Sequence, residues 1–395
     1  MSLDEQTLAR LIELHDDVGE LSFYVGISPD GQANPQPTWR IEIKNRIRDL
    51  RQKVRDEEVH ERWKAVHDRL DALEADLDEF LDPSRPGRGR AMFVAVSDGH
   101  RETVTVQVPF SERVLLRDNA YIRPLVSAWD EGRPAGILVA YRGGSRLLEW
   151  QMGEVRELET DTFDFGDAHL ADEKGGPVAA NPQRMQQGVS HRERFEDRLD
   201  ENRKRFLRSS LEDYLKAGKE RGWDRLVVAG ESKLRQWVID HLGGANDLRV
   251  VEADQLWETE TPHTIATTVW PTLRAMHRER ERDLVVKARD RALSGNAGAL
   301  GLRDVLGALN EGRVAHLLFS TDVSFTGYRS ADQGLLFAEE GGPAEALGEE
   351  LIEESYLVER MLERALSTSG KVTPVDDEVA ALLDENDGVA ALLRW

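Results

Sequence analysis

The chain has 395 residues, 40% hydrophobic and 32% charged, with a formal net charge of −22 at pH 7. At roughly 150 residues per domain, that length implies two or three folded units. The charge excludes a protein that grips nucleic acid by a generally basic surface, because its long-range field repels phosphate; only a local basic patch is compatible. With no cysteine, disulfides, zinc ribbons, CxxC redox chemistry and thiol nucleophiles are excluded.

The first residues carry no basic stretch leading into an apolar run, so no signal peptide is expected. No run approaches the ~18 uninterrupted apolar residues of a membrane helix. A soluble cytoplasmic protein is the expectation. Leu8, Leu11, Ile12 and Leu14 have helical spacing, and an apolar strand follows over 21–25. Pro29, Gly31, Pro35 and Pro37 punctuate a loop. From Trp39 to Phe80 the apolar residues step at three and four, which predicts one long charged helix with one buried stripe. That stripe is expected to pack on the chain's own sheet, with a coiled-coil partner as the alternative. Strands are predicted over 91–96, 103–108 and 113–116, and a helix containing Leu125, Val126 and Trp129 closes the first α/β unit.

A second unit opens near Pro134. Residues 136–141 and 146–151 read as a hairpin about Arg142-Gly143-Gly144-Ser145, and 155–158 continues the meander. A polar stretch over 161–190 lacks periodicity, and a loop that long in a compact domain is usually functional or disordered. A long helix over 191–217 follows, then strand 225–229, helix 233–242 and strand 248–251, the signature of a parallel crossover. A helical stretch over 262–293 leads into the last unit. There, helix 302–309, strand 314–320, helix 348–365, strand 372–375, helix 378–384 and strand 389–395 alternate. The expected domains are thus 1–133, 134–261 and 262–395.

Motifs for common chemistries are missing: there is no HExxH, GxSxG, Walker A or GxGxxG sequence. His60 and His67 are spaced for one helix face, but a solvated surface explains them, and no metal or cofactor is expected. Gly230-Glu231-Ser232-Lys233 follows a strand and opens a helix; a turn at Gly230 and a cap at Ser232 suffice. The acid pairs Glu353-Glu354 and Asp376-Asp377 read as solvated helix faces or ends. The segment 161–194 differs. Its first half is acidic, and its second half gathers Arg184, His191, Arg192 and Arg194 with three glutamines, a local island that can meet a phosphate backbone.

The stretches 136–151, 188–206 and Trp223 to Gly230, with the ending Asn386 to Trp395, resemble a known superfamily. The hairpin, long loop, long charged helix and strand-helix-strand are similar to the middle domain of eukaryotic and archaeal class-one peptide release factors. The last unit resembles their C-terminal domain. Together the stretches look like the bacterial and archaeal branch, which includes Vms-like release factors and ribosome-hibernation factors. The resemblance covers about Pro134 to the end. It implies an α/β protein of three units: an N-terminal α/β domain, a ribonuclease-H-like middle domain, and an α/β/α sandwich like the kink-turn-binding ribosomal proteins.

The resemblance also implies a function. Such a factor enters the ribosomal tRNA site, touches rRNA and tRNA, and hydrolyses peptidyl-tRNA to release or rescue a stalled chain. A translational GTPase is a further candidate partner. DNA and membranes are not expected partners, and a monomer is expected. Release factors position a water with Gly-Gly-Gln, and this chain has no such motif. Gly175-Gly176 is followed by proline, and Gln187-Gly188 has the reverse order. Gln186 or Gln187, beside Gly188, is then the candidate catalytic amide, with Arg184, His191, Arg192 and Arg194 as RNA contacts. The alternatives are a non-catalytic hibernation factor in the same site, or an acidic scaffold that binds a protein through the helix over 39–80.

Overall fold

A computed structural model describes residues 3–27, 37–57, 59–163, 191–242, 248–340, 348 and 350–395; side chains 5, 57, 191–198 and 377 lie outside that description. The chain divides into two units, Arg133–Met276 and the pair of segments Met1–Gly132 and His277–Trp395. The architecture is mixed α/β, with three sheet-centred bodies in chain order, the first and last within one unit.

The N-terminal body starts with helix α1 (Glu5–Ile12) and strand β1 (His15–Gly26). β1 is far longer than the apolar run at 21–25 suggests. Its polar start is held by Asp16, whose carboxylate accepts the Val18 and Ser97 amides at 2.7 and 2.8 Å. Strands β2 (Gly89–Ala95), β3 (Arg101–Val106) and β4 (Arg113–Asn119) complete an antiparallel sheet of order β3-β2-β1-β4.

The expected single helix over 39–80 is three: α2 (Thr38–Glu57), α3 (His60–Ala72) and α4 (Glu74–Phe80). The stripe survives the breaks because its residues share one core. Ile43, Val54, Val66, Leu70, Leu77 and Phe80 all pack with Leu21, Phe23 and Val94 of the sheet. The buried Arg90 guanidinium caps the end of α4, donating to the carbonyls of Phe80 and Asp82 at 2.7 and 2.8 Å. Most of the stripe is thereby used within the body, while Ile41 and Val59 are exposed. His60 and His67 flank Trp63, with ring centroids 5.3 and 5.6 Å away, and His67 also meets Arg51. Helix α5 (Arg123–Glu131) ends the segment.

The middle unit is a five-stranded sheet of order β7-β6-β5-β8-β9. Its strands are β5 (Ala135–Tyr141), β6 (Gly144–Gln151), β7 (Glu154–Thr162), β8 (Arg225–Gly230) and β9 (Arg249–Glu252). The meander β5–β7 is antiparallel, and β8 and β9 run parallel to β5, the ribonuclease-H-like arrangement. Helix α6 (His191–Glu220) and helix α7 (Ser232–Leu242) cover one face through Leu207, Leu211, Tyr214, Leu234 and Val238. Alternate strand residues, Ile137, Val139, Val227 and Ala229, face the other way, as the pleat requires. They meet Ile265, Val269 and Leu273 of helix α8 (Pro262–Leu293).

In the C-terminal body, β10 (Gly298–Leu300), β11 (Val314–Ser320), β15 (Lys371–Val375) and β16 (Val389–Leu393) form a sheet of order β10-β16-β11-β15. Gly136 and Val314 therefore lie in different sheets. Helices α9 (Leu302–Asn310) and α10 (Leu357–Ser367), the short α11 (Asp377–Ala380) and a 3-10 turn Ala381–Asn386 accompany it. A small sheet of β12 (Gly327–Ser330), β13 (Leu336–Phe337) and β14 (Leu351–Glu354) was not expected. It corrects the helix predicted over 348–365: Leu351–Glu354 pairs with Gly327–Ser330, a ladder that local periodicity cannot reveal. Glu354 is correspondingly no solvated helix acid. It is buried and accepts from Arg360 at 2.7 Å. Among the described residues, no helix is long and apolar enough to cross a membrane.

Candidate functional site

Of the residues singled out above, Arg184, Gln186, Gln187 and Gly188 lie outside the described residues. His191, Arg192 and Arg194 occupy the start of α6, whose side chains there are likewise outside the description. What is described is the base from which that segment departs and the helix to which it returns.

The departing end is closely fitted. Gly144 pairs with Thr162 at the edge of the meander and adopts φ +154. A Cβ there would lie 1.9 Å from the Asp161 carbonyl oxygen, so no side chain fits without moving backbone. The Phe163 amide donates to the Gly143 carbonyl at 2.8 Å. Its ring is buried and meets Phe206 of α6 edge-on at 5.8 Å.

Between strand and helix stands a hydroxyl clamp. The Asp161 carboxylate accepts from the Tyr214 phenol and, at 2.9 Å, from Ser210 Oγ. The phenol oxygen is 3.0 Å from the buried Ser145 Oγ on β6. Burial, and then the hydrogen bond given to Asp161, raise the Tyr214 pKa above the ordinary tyrosine range. The phenol therefore stays a donor at every physiological pH. Arg203 extends the clamp, donating to the Arg142 carbonyl at 3.3 Å and pairing with Asp200 at 2.9 Å, with its guanidinium 5.9 Å from the centre of the Phe163 ring. Farther along α6, Arg205 and Arg208 are exposed, on a helix that also carries acids such as the exposed Glu201.

The clamp was not found from the sequence. Ser210 and Tyr214 are one turn apart on α6, but Tyr214 reads as an ordinary stripe residue and nothing local links it to Asp161. The turn at Gly230 is as read: φ is +106, and a Cβ would sit 2.0 Å from the Ala140 carbonyl oxygen. Ser232 is the first helical residue. The Glu231 carboxylate stands beside it, bound by the Arg142 amide and Nε at 2.9 and 3.1 Å, and its negative charge disfavours an anion there.

Part of the chain, including most of the middle unit, is similar to a known family. The family whose model matches, over residues 121–269, is described as bacterial archaeo-eukaryotic release factor family 10. No curated protein matches the chain. Similar solved structures include an archaeal translation termination factor, 17% identical, covering 100% of this chain and 99% of its own, with a TM-score of 0.25. Pelota of Archaeoglobus fulgidus is 17% identical over 78% of this chain and 79% of its own, with a TM-score of 0.35. An archaeal Pelota described as ribosome-bound is 16% identical over 78% and 77%, with a TM-score of 0.39.

Proposed function

We propose that this chain is a ribosome-associated translation factor that enters the tRNA site and hydrolyses peptidyl-tRNA to release or rescue a stalled chain. The observation that carries this reading is the release-factor family match over the unit in which β7 and α6 are clamped. The clamp gives the segment between them a fixed base from which to reach the peptidyl-transferase centre. Gln186 or Gln187, beside Gly188, would orient a water on the ester; such an amide works by position and needs no shifted pKa. Arg184, His191, Arg192 and Arg194 would meet RNA phosphates against a net charge of −22, so binding rests on a local cluster. The protein acts in the cytoplasm as a monomer, with a translational GTPase as a candidate partner.

One observation favours a second reading. The sequence lacks Gly-Gly-Gln, which suits a factor that occupies the site without chemistry during hibernation. Co-sedimentation with ribosomes tests both readings at once, and failure to co-sediment removes both. Replacing Arg192 and Arg194 by alanine should weaken that binding and lower its salt dependence, with the slope falling by about one for each phosphate no longer neutralised. Gln186→Ala with Gln187→Ala should leave binding intact and abolish peptidyl-tRNA cleavage. If the unaltered protein binds but never cleaves, the non-catalytic reading stands.

A further inference from the structure

A second polar site lies within the unit formed by the N- and C-terminal segments. A cleft of about 420 Å³ is lined by His15 and Asn119 from the N-terminal segment and by Arg329, Arg360, Glu363 and Arg364 from the C-terminal one. Arg360 and Arg364 are one turn apart on α10, so they share a face. The three arginines are not equivalent. Arg360 is fully engaged, donating to Glu354 at 2.7 Å and to Glu363 at 3.0 Å. Arg364 makes one long bond, to the Asn310 carbonyl at 3.4 Å. Arg329 approaches Glu354 only to 3.9 Å. The Nε atoms of both Arg329 and Arg364 are shielded from solvent and have no hydrogen-bond partner among the described residues.

A buried N–H without an acceptor is costly, and Arg329 and Arg364 each leave one, at Nε. The complement is a group with several anionic oxygens in one place, which a phosphate supplies through charge-assisted, often bidentate bonds. The volume is that of a small-molecule site rather than of a track along a polymer. A chain of net charge −22 repels a long polyanion at a distance, whereas a compact phosphate ester is captured at short range. We propose that this cleft binds a phosphate-bearing small molecule, of the di- or mononucleotide or pyrophosphate kind, held by Arg329 and Arg364. Arg360 is a positioning residue that keeps α10 and the small sheet in register. The site is independent of the segment that follows β7, and so of the function proposed for it. A ligand there would touch both chain segments and raise the stability of the unit they share.

Isothermal titration of the full chain with inorganic pyrophosphate and with ADP tests this. Binding of at least one probe to a single site is expected, with affinity falling at least tenfold in Arg329→Gln and in Arg364→Gln. Both substitutions leave the Arg360 pairs in place, and the thermal midpoint of the ligand-free variants checks that they fold. Arg303→Gln is the control, removing one exposed charge from the same segment, where Arg303 pairs with Glu339. Retained affinity in Arg303→Gln is the supporting outcome. Absence of binding for both probes at millimolar concentration would overturn the proposal. So would equal weakening in all three variants, which would mark a diffuse field effect. Capture of a single-stranded RNA oligomer in place of both small probes would also overturn it, making the cleft a nucleic-acid site.

Discussion

Asp161 in the middle unit and Glu359 in the other are both carboxylates drawn away from water, and they are held by opposite means. Asp161 is half-buried and gripped by two neutral hydroxyls, from Tyr214 and Ser210. Glu359 is buried and gripped by two guanidiniums, from Arg117 and, at 3.2 Å, from Arg123. Arg117 is flanked by aromatic rings as well, 4.4 Å from the centre of Tyr121 and 4.1 Å from that of Tyr356. The difference follows from what each has to hold. Hydroxyls fix the direction of a strand end at modest energy. Guanidiniums cancel a charge that burial would otherwise forbid, and here they tie together segments more than two hundred residues apart. Glu20 is the informative third case: it is buried, and the charges pressing on it are those of Asp16 and Asp98. Its register partner across the sheet is Arg117, whose guanidinium is engaged by Glu359.

The largest effect should come from breaking the guanidinium clamp. Glu359→Ala leaves two half-buried cations facing one another and should destabilise the unit by about 3–5 kcal/mol. Denaturant unfolding of the full chain measures it. A loss below about 1 kcal/mol would mean that Arg117 and Arg123 reach water freely, and the contrast with Asp161 would collapse.

Glu20 sharpens the comparison through pH. Burial first, and then the repulsion of Asp16 and Asp98, push its pKa up to about 8 from an ordinary 4.5. Between those values the folded chain holds a proton that the unfolded chain has released. Stability contributed by this group is therefore full below about pH 4.5 and declines as pH rises toward about 8, by at most about 1.4 kcal/mol per pH unit. Glu20→Gln should remove that slope and make the protein more stable than the parent at pH 8. An unchanged slope in thermal or chemical unfolding from about pH 5 to 8 would sink the assignment.

Much of this was legible in advance where the signal is local. The strand hairpin at Gly144, the parallel crossover from Arg225–Gly230 to Arg249–Glu252 and the stripe through Ile43, Val66 and Leu77 follow from periods of two and of three to four. Elements held by distant pairing were not legible. Leu351–Glu354 looks like helix until Gly327–Ser330 is placed beside it, and the polar start of β1 is held by distant partners, with His15 opposite Asn119 and Asp16 bound to Ser97. The candidate site divides in the same way. Composition pointed to the segment before α6, but the clamp at its base joins Asp161, Ser145, Ser210 and Tyr214, which no spacing rule groups. The arginine cleft was missed for a related reason: Arg360 and Arg364 share a helix face visibly, whereas Arg329 and His15 arrive from elsewhere in the chain.

The smallest expected effect tests the hydroxyl clamp. Tyr214→Phe keeps the ring in the core and removes one O–H, which leaves Asp161 with Ser210 and Ser145 without its phenol partner. The cost should be about 1–3 kcal/mol, the range for a buried polar group that loses one neutral partner, and below the cost of Glu359→Ala. Ser210→Ala should cost less, because Tyr214 continues to hold the carboxylate. Hydrogen exchange localises the effect: protection of the Phe163 amide, bound to Gly143, should fall in Tyr214→Phe while that of the amides within β8 stays unchanged. Loss of protection throughout β8 would show a global loss of stability instead, and the hydroxyls would then be part of the core rather than a local clamp on the strand end.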